Sequence, residues 1–348
     1  MKKLFFLIFS VSLSISAWAY DFESGGIYYN ITSPTTVCVT HNGSIGKTYW
    51  GDVVIPETVN HGDIDYVVSS IGERAFCAGP ALTSVTLPGS ITSIGDYAFE
   101  SSGLSSISIP ANVTSIGEGA FGGSGLTSII IPDNVESIGD NTFSGCYQLT
   151  SVTLSDNITS IGNFMFAGCE LLTSITIPNS VTNIGERAFG FCPNLQSITI
   201  PASVVSIAGD AFYECSSLTD IYMLNTVPVS ILDDTFTADN YNNARLHVPQ
   251  GKAADYRNAE GWKNFVDIVD DAVSGIGSSY LVADAGIFAS GNNVIIENAR
   301  LGEPVFVYDA SGRLLKTVRV TGERSEIRLP MNRIYVIKCA NKVEKIKL

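Results

Sequence analysis

Residues 172–192 read Leu-Thr-Ser-Ile-Thr-Ile-Pro-Asn-Ser-Val-Thr-Asn-Ile-Gly-Glu-Arg-Ala-Phe-Gly-Phe-Cys, and variants of this stretch recur along most of the chain. Its Ile-Gly-x-x-x-Phe segment occurs six times at intervals of 22 or 23 residues, and a seventh copy has Ala208 in place of Gly. A looser eighth copy runs from Ile231 to Phe236. Such a regular period indicates a solenoid, in which each repeat is one structural unit that stacks on the next.

One half of the unit, Leu-x-x-(Ile/Val)-x-(Ile/Leu)-Pro, alternates apolar and polar residues. Alternation predicts a short strand with one buried face, and Pro ends it by removing a ladder donor. Each unit is expected to add one strand to a long parallel sheet. The other half carries a second apolar pair, such as Val113 and Ile116, then Gly for a tight turn, an acidic residue and a short Ala-Phe turn or helix.

The ends of the repeat array differ in composition. Residues 1–19 are predicted to be a signal peptide, because Lys2 and Lys3 precede an apolar run and Ala17-Trp18-Ala19 fits a cleavage site. Residues 20–66 are predicted to form an N-terminal β cap, with strands at residues 26–31, 36–40 and 52–56. Residues 67–270 form the predicted solenoid with its C-terminal cap, in which a helix from Ala253 to Phe265 turns Trp262 and Phe265 inward.

The pattern changes again after the solenoid. Residues 271–280 are rich in Gly and Ser, which indicates a linker. Five predicted strands follow within residues 281–348, at residues 294–296, 305–308, 314–320, 326–329 and 334–337. Asp309-Ala310-Ser311-Gly312 suits a hairpin turn. The expected fold is therefore a leucine-rich-repeat solenoid, β-rich with short helices or turns on its far side, plus a small C-terminal all-β sandwich domain.

The repeat resembles the BspA-like, or treponemal-type, leucine-rich repeats of bacterial surface proteins. The resemblance covers about residues 50 to 265 and rests on fixed positions that recur in each copy. It implies a curved solenoid that is displayed outside the cell and used for adhesion or host-protein binding.

The C-terminal segment has the order Val-Tyr-Asp-x-Ser-Gly-Arg-Leu, Leu-Pro and Ile-Tyr-Val-Ile-Lys. It resembles the C-terminal sorting-type domains of Bacteroidetes exported proteins. Those domains carry Gly after Leu-Pro, whereas this chain has Met331-Asn332-Arg333. The resemblance implies a sorting role, and a stalk or spacer is the alternative.

The net charge and the sequence motifs limit the classes of function that we expect. The net charge is −14, with 34 acidic and 20 basic residues, so we expect no nucleic-acid partner. No later apolar run reaches the ~18 residues of a transmembrane helix. The chain has three His and no H-E-x-x-H, C-x-x-C or G-x-S-x-G motif. Gly46-Lys47-Thr48 lacks the first Gly of a phosphate-binding loop. We therefore expect neither an enzyme nor a cofactor.

Two columns of the repeat contain residue types that could form disulfides or bind a metal, but each column also has a purely structural explanation. Four cysteines recur every 23 residues, at Cys146, Cys169, Cys192 and Cys215. They could be stacked disulfides, metal ligands or small buried core residues. Ser102 and Ser124 occupy the same column, which favours free thiols in the core. In the second column, the residue after the Gly is usually acidic. A row of carboxylates could bind calcium, but we favour the alternative that each acidic residue lies in the first turn of a helix. Those residues are Glu73, Asp96, Glu118, Asp140, Asn163 and Glu186.

The exposed face of the strands is the predicted partner-binding surface, because solenoids of this kind bind across their sheet. Its residues are Ser84, Thr86, Ser106, Ser108, Ser151, Thr153, Ser174, Thr176, Ser197, Thr199, Asp220 and Tyr222. The function expected from sequence is a secreted or cell-surface binding protein that adheres to a host or matrix protein or to a glycan. The alternatives are a structural surface spacer without a ligand and a glycan-capture accessory protein.

Overall fold

The computed structural model describes residues 20–44 and 48–272, and then the strands of a second unit. Those later segments are residues 286–290, 293–297, 304–309, 314–319, 324–329, 334–339 and 342–347. The chain divides into two compact units with the boundary after Gly275. The predicted signal peptide, most of the predicted linker, Ala310 to Gly312 and Gly46-Lys47 lie outside the described residues. The domain boundaries drawn from sequence stay predictions.

Nine parallel strands lie along one side of the coil in the first unit, and together they are called the main sheet. Strands are numbered in chain order. Those of the main sheet are β4 (Gly51–Val54), β7 (Leu82–Thr86), β10 (Ser128–Ile130), β12 (Ser151–Thr153), β14 (Ser174–Thr176), β16 (Ser197–Ile200), β18 (Asp220–Met223), β19 (Arg245–Pro249) and β20 (Asp267–Ala272). The solenoid predicted from the repeat is confirmed.

The expectation of one long sheet is wrong in detail. The strands form three groups, β4–β7, β10–β12 and β14–β16–β18–β19–β20, and residues 104–109 form no regular strand. The coils differ slightly in length here, since three positions lead from Gly79 to Leu82 but two from Ser102 to Leu104.

A second row of strands lies along another side of the coil. It starts at β6 (Ile64–Ile71). The next strands in the row are β8 (Ser93–Ile94), β9 (Ser115–Ile116) and β11 (Ser137–Ile138). A separate group contains β13 (Ser160–Ile161), β15 (Asn183–Ile184) and β17 (Ser206–Ile207). Each two-residue strand contains the second member of the second apolar pair of the repeat, such as Ile116 in β9, and sequence did not assign this pair to a sheet.

The third side of the coil is built from turns and contains no helix between residues 72 and 236. In one coil, the amides of Tyr97, Phe99 and Ser101 each donate to a carbonyl of the next coil at 2.7 Å. Two residues per coil adopt positive φ to aim these amides, for example Tyr97 at 56° and Ser101 at 53°. Left-handed backbone costs a non-glycine residue about 1–2 kcal/mol, which the inter-coil hydrogen bonds offset.

The Gly of Ile-Gly serves close approach and not the tight turn expected from sequence. A Cβ on Gly139 would lie 2.4 Å from the amide nitrogen of Glu118 in the preceding coil. On Gly117 it would lie 2.3 Å from Oδ1 of Asp96. Neighbouring coils therefore approach so closely at this position that there is no room for a side chain.

A column of phenylalanine rings runs through the core. Consecutive rings are nearly parallel, with interplanar angles of 2° to 9° and centroids 4.9–5.8 Å apart. The rings belong to Phe76, Phe99, Phe121, Phe143, Phe166, Phe189, Phe212 and Phe236, and all are buried. Phe236 continues the column, which confirms the looser eighth copy. Each aromatic pair contributes about 0.5–1.5 kcal/mol beyond area burial.

Antiparallel strands close the N-terminal end. They are β1 (Phe22–Ser24), β2 (Ile27–Ser33) and β3 (Thr36–Thr40), with β5 (Thr58–His61) paired to β6. The cap strands predicted near residues 26–31 and 36–40 are present. The third predicted cap strand is β4, which instead starts the main sheet because it pairs with β7. The predicted boundary after residue 66 falls inside β6.

Short helices close the other end. They are α1 (Ala238–Asn243), α2 (Ala253–Asn258) and a 3₁₀ turn at Trp262–Asn264. The helix predicted from Ala253 to Phe265 is therefore broken, since Gly261 takes a φ of 76° between its two parts. Trp262 and Phe265 are buried as predicted.

The second unit contains two antiparallel sheets. One holds β21 (Gly286–Ser290), β22 (Asn293–Glu297) and β25 (Arg324–Arg328). The other holds β23 (Pro304–Asp309), β24 (Leu314–Arg319), β26 (Ile334–Cys339) and β27 (Lys342–Lys347). Val294, Ile327, Val305 and Ile337 come from both sheets and share one core, as in a sandwich. Sequence missed β21 and β27.

Truncation of one ring in the phenylalanine column tests its importance. Phe166→Ala should lower the free energy of unfolding by about 3–5 kcal/mol, since the two neighbouring rings each lose a stacked face. Leu171→Ala removes an exposed side chain of the same coil and should change stability by less than about 0.5 kcal/mol. Urea denaturation followed by circular dichroism measures both, and equal effects would contradict the assignment.

Candidate functional site

Ten of the twelve residues predicted to bind a partner lie on the outer face of main-sheet strands, and none of the twelve is buried. This surface is called the sheet face below. Ser174, Ser197 and Asp220 are aligned in one column of the ladder, and Thr176, Thr199 and Tyr222 in the other. Ser151 and Thr153 continue these columns opposite Ser128 and Ile130.

The remaining predicted residues are placed less regularly. Ser106 and Ser108 are exposed but lie in the stretch that forms no strand. Thr86 is exposed on β7. Ser84 donates a hydrogen bond to Oδ1 of Asp52 at 2.7 Å, and Thr83 donates to the same atom at 2.6 Å. These two hydrogen bonds lower the pKa of Asp52 and engage the hydroxyl of Ser84 within the protein.

The chemical character of the sheet face is uneven. Between Ser84 and Thr199 its two columns carry hydroxyl side chains, except for the apolar Ile130. Charged residues stand at the two ends, with Asp52 on β4 and Asp220 on β18. The centre is therefore a neutral hydrogen-bonding surface, on which each hydroxyl both donates and accepts.

A cluster at the C-terminal end of this face was not predicted from sequence. β19 places His247 beside Tyr222, and their rings stack with centroids 4.2 Å apart. The buried imidazole joins two carboxylates, with Nδ1 2.6 Å from Oδ1 of Asp271 and Nε2 3.0 Å from Oδ1 of Asp220. The alternation in Arg245-Leu246-His247-Val248 was the signal that puts His247 in the Tyr222 column.

This cluster is suited to structure and not to proton transfer. Both ring nitrogens of His247 face carboxylate oxygens, so neither is left to take a proton from a substrate. Burial alone would raise the pKa of Asp220, but hydrogen bonds from His247 and Thr219 outweigh it and the pKa is lowered. Arg245 pairs with Asp267 at 2.8 Å on the adjacent register position.

The acidic column does not have the helix role that was preferred from sequence. No helix follows it, so the preferred explanation by a helix N-terminus is wrong. Asp96 and Asp140 each accept a hydrogen bond from the amide of the equivalent residue in the next coil, at 2.9 and 2.8 Å. Asn163 does the same for Glu186 at 2.9 Å. Within the residues that the structure describes, no three His, Cys, Asp or Glu side chains are grouped to hold a metal ion.

The repeated cysteines are buried free thiols, as favoured from sequence. Each thiol lies within hydrogen-bond distance of a phenylalanine carbonyl in the preceding coil, for example Sγ of Cys192 3.1 Å from the oxygen of Phe166. Cys146, Cys169 and Cys215 do the same. Burial raises the pKa of Cys192 to about 12. The thiols therefore satisfy backbone acceptors and are poor nucleophiles.

The architecture and the exposed columns together define a solenoid repeat protein. The family model described as BspA type Leucine rich repeat region (6 copies) matches residues 57–171 and 137–249. These ranges cover more than half of the chain, and the chain belongs to the BspA-type leucine-rich-repeat family. Solenoids of this family are typically not catalytic.

Solved structures of bacterial repeat proteins resemble the chain. A leucine-rich repeat protein from Bacteroides ovatus is 24% identical over 73% of this chain and 90% of that chain, with a TM-score of 0.40. A leucine rich cell surface protein from Faecalibacterium prausnitzii is 21% identical over 73% and 97%, with a TM-score of 0.30. The leucine rich repeat protein of T. pallidum is 20% identical over 73% and 85%, with a TM-score of 0.29. No curated protein matches the chain.

Among the described segments, no helix has the length and apolar character needed to cross a bilayer.

Alkylation should separate the buried thiols from the half-buried Cys38. Iodoacetamide at pH 8 should leave Cys146, Cys169, Cys192 and Cys215 unmodified in the native protein, because burial keeps them protonated and out of reach. Cys38 should react first. Peptide mass spectrometry before and after unfolding in guanidinium gives the comparison, and native reaction of the four at the unfolded rate would contradict their placement.

Acid titration should reveal the carboxylate beside His247. The lowered pKa of Asp220 implies stability that is present above its unfolded value of about 3.9 and lost as pH falls through the folded pKa. Asp220→Asn should therefore lower the urea midpoint at pH 7, and the deficit should shrink towards pH 3. Asp156→Asn, at an exposed turn position, is the control. A deficit that does not depend on pH would rule out the ionic contribution.

Proposed function

We propose that this protein is an exported binding protein that attaches to a macromolecule outside the cell through its sheet face. The observation that carries the proposal is the series of hydroxyl side chains from Ser151 to Thr199, half-buried or exposed on two parallel ladders. Rigid elements hold binding groups more accurately than loops do. The predicted signal peptide and the family's cell-surface members support export and a surface location.

Adhesion to a host or matrix protein, or to a glycan, is the activity we assign to this face. A neutral centre accepts polar partners without the desolvation penalty of buried charge. The paired state of His247 and the carbonyl contacts of the thiols support binding over catalysis. Nucleic acid is an unfavourable partner because the chain carries a net charge of −14.

The sorting-type role of residues 281–348 stays a prediction, with a spacer as its alternative. Their two-sheet core is compatible with either, because both require only a folded domain that follows the solenoid in sequence.

Charge insertion on the sheet face tests the proposal. The triple variant Thr153→Lys, Thr176→Lys and Thr199→Lys should weaken binding at least about tenfold, because each added ammonium would be buried unpaired under a ligand. Its control, Thr92→Lys, Thr114→Lys and Thr159→Lys, adds the same charge at exposed positions directly before β8, β9 and β13 of the second strand row. Surface plasmon resonance on immobilised collagen and laminin, together with a glycan array, measures binding of the full chain.

Two outcomes would contradict the proposal. Equal binding by both triple variants would remove the site from the sheet face. The absence of binding by the unmodified protein to every probe would favour the structural spacer instead.

A further inference from the structure

Aromatic side chains and an arginine cluster on the turn side of the coil, away from the sheet face. The guanidinium carbon of Arg187 lies 5.9 Å from the ring centroid of Phe164 and 5.8 Å from that of Tyr213. Phe191 contacts Tyr213 edge to face, with centroids 5.3 Å apart. These four residues are called the turn-side cluster. They come from three consecutive coils, so only stacking brings them together.

Three members of the cluster adopt the left-handed conformation, with a φ of 53° for Phe164, 48° for Arg187 and 59° for Phe191. Glycine occupies some of the corresponding positions in other coils, namely Gly119 in the Phe164 column and Gly123, Gly145 and Gly168 in the Phe191 column. The backbone ladder requires the left-handed conformation, but it does not require phenylalanine.

Core packing does not account for this choice. Phe191 is 47% exposed, while Phe164, Arg187 and Tyr213 are partly exposed. Exposed apolar surface that also costs backbone strain contributes little to folding, so its function has to be sought in binding.

A polar pair lies beside the rings. Arg187 donates from Nε and Nη2 to Oδ2 of Asp210 at 3.0 and 2.7 Å, and both side chains are partly accessible. A guanidinium has five N–H donors, so others remain available, and the carboxylate can accept further hydrogen bonds. Aromatic rings next to a paired donor and acceptor offer both apolar and polar contacts to a sugar ring, which has C–H groups on its face and hydroxyls around its rim.

Charge selects a neutral sugar. Asp210 already neutralises Arg187, and Glu186 and Glu214 are exposed next to the cluster in sequence. Sulfated or uronic-acid chains would be repelled by these carboxylates. With coils spaced at ~4.8 Å, three coils span only ~10–15 Å. That extent suits a short stretch of glycan better than a stable protein interface, which needs about 800 Å² per partner.

We propose that the turn-side cluster of Phe164, Arg187, Phe191 and Tyr213 is a binding site for neutral glycans, separate from the sheet face.

Affinity electrophoresis of the full chain in native gels containing β-glucan, mannan or galactomannan tests the site, with alginate as the anionic control. At least one neutral polysaccharide should retard the unmodified protein. Phe191→Gly and Tyr213→Ala should each weaken that retardation at least tenfold. Trp50→Ala removes another highly exposed aromatic ring, and it should bind as the unmodified protein does.

Stability separates a lost site from a lost fold. Phe191→Gly should melt no lower than the unmodified protein, because glycine relieves the left-handed strain. The sheet-face triple lysine variant should keep its retardation by the neutral polysaccharide, so failure of the proposed sheet-face function would not remove this site. Lack of retardation in all three neutral gels, retardation by alginate alone, or unchanged binding by Phe191→Gly and Tyr213→Ala would overturn the proposal.

Discussion

Each coil of this protein is incomplete until another coil covers it. A phenylalanine ring presents both faces along the solenoid axis, and each of the seven stacked pairs buries one face of two rings. Backbone amides on three sides of the coil also point to the neighbouring coil. Because unpaired buried amides are costly, the coils have to stack in register. The caps at both ends follow from the same requirement, since an end coil has only one neighbour.

This stacking explains most columns that suggest chemistry in the sequence. The thiol of Cys192 fills a buried position and contacts a carbonyl. Asp140 accepts the amide of Asn163 in the next coil, and Gly162 leaves space for that carboxylate. Regular spacing of reactive residue types is thus a consequence of a repeated packing problem. The same local solution is reused in each coil, and it needs no ligand.

Function is then left to side chains that the stacking does not use. The centre of the sheet face presents hydroxyls, while the turn side presents rings that no packing demand explains. The two surfaces differ in the forces available for recognition. Hydroxyls on a ladder offer directional hydrogen bonds, whereas Phe191 and Tyr213 offer apolar area and ring faces. The two proposed sites therefore differ in the chemistry of the partner that each would bind.

The sequence by itself determined the solenoid, the alternation that exposes Thr176 and Thr199, and the burial of the four repeated cysteines, because each depends on periodicity along one chain. It also gave the inward direction of Trp262 and Phe265. Tertiary structure alone decided which coils hydrogen-bond as strands, why Gly139 cannot carry a side chain, and that Asp96 serves the next coil. It also joined His247 to Asp220 and Asp271, and Phe164 to Arg187 and Tyr213. These relations depend on the offset between neighbouring coils, which residue types along the chain do not specify.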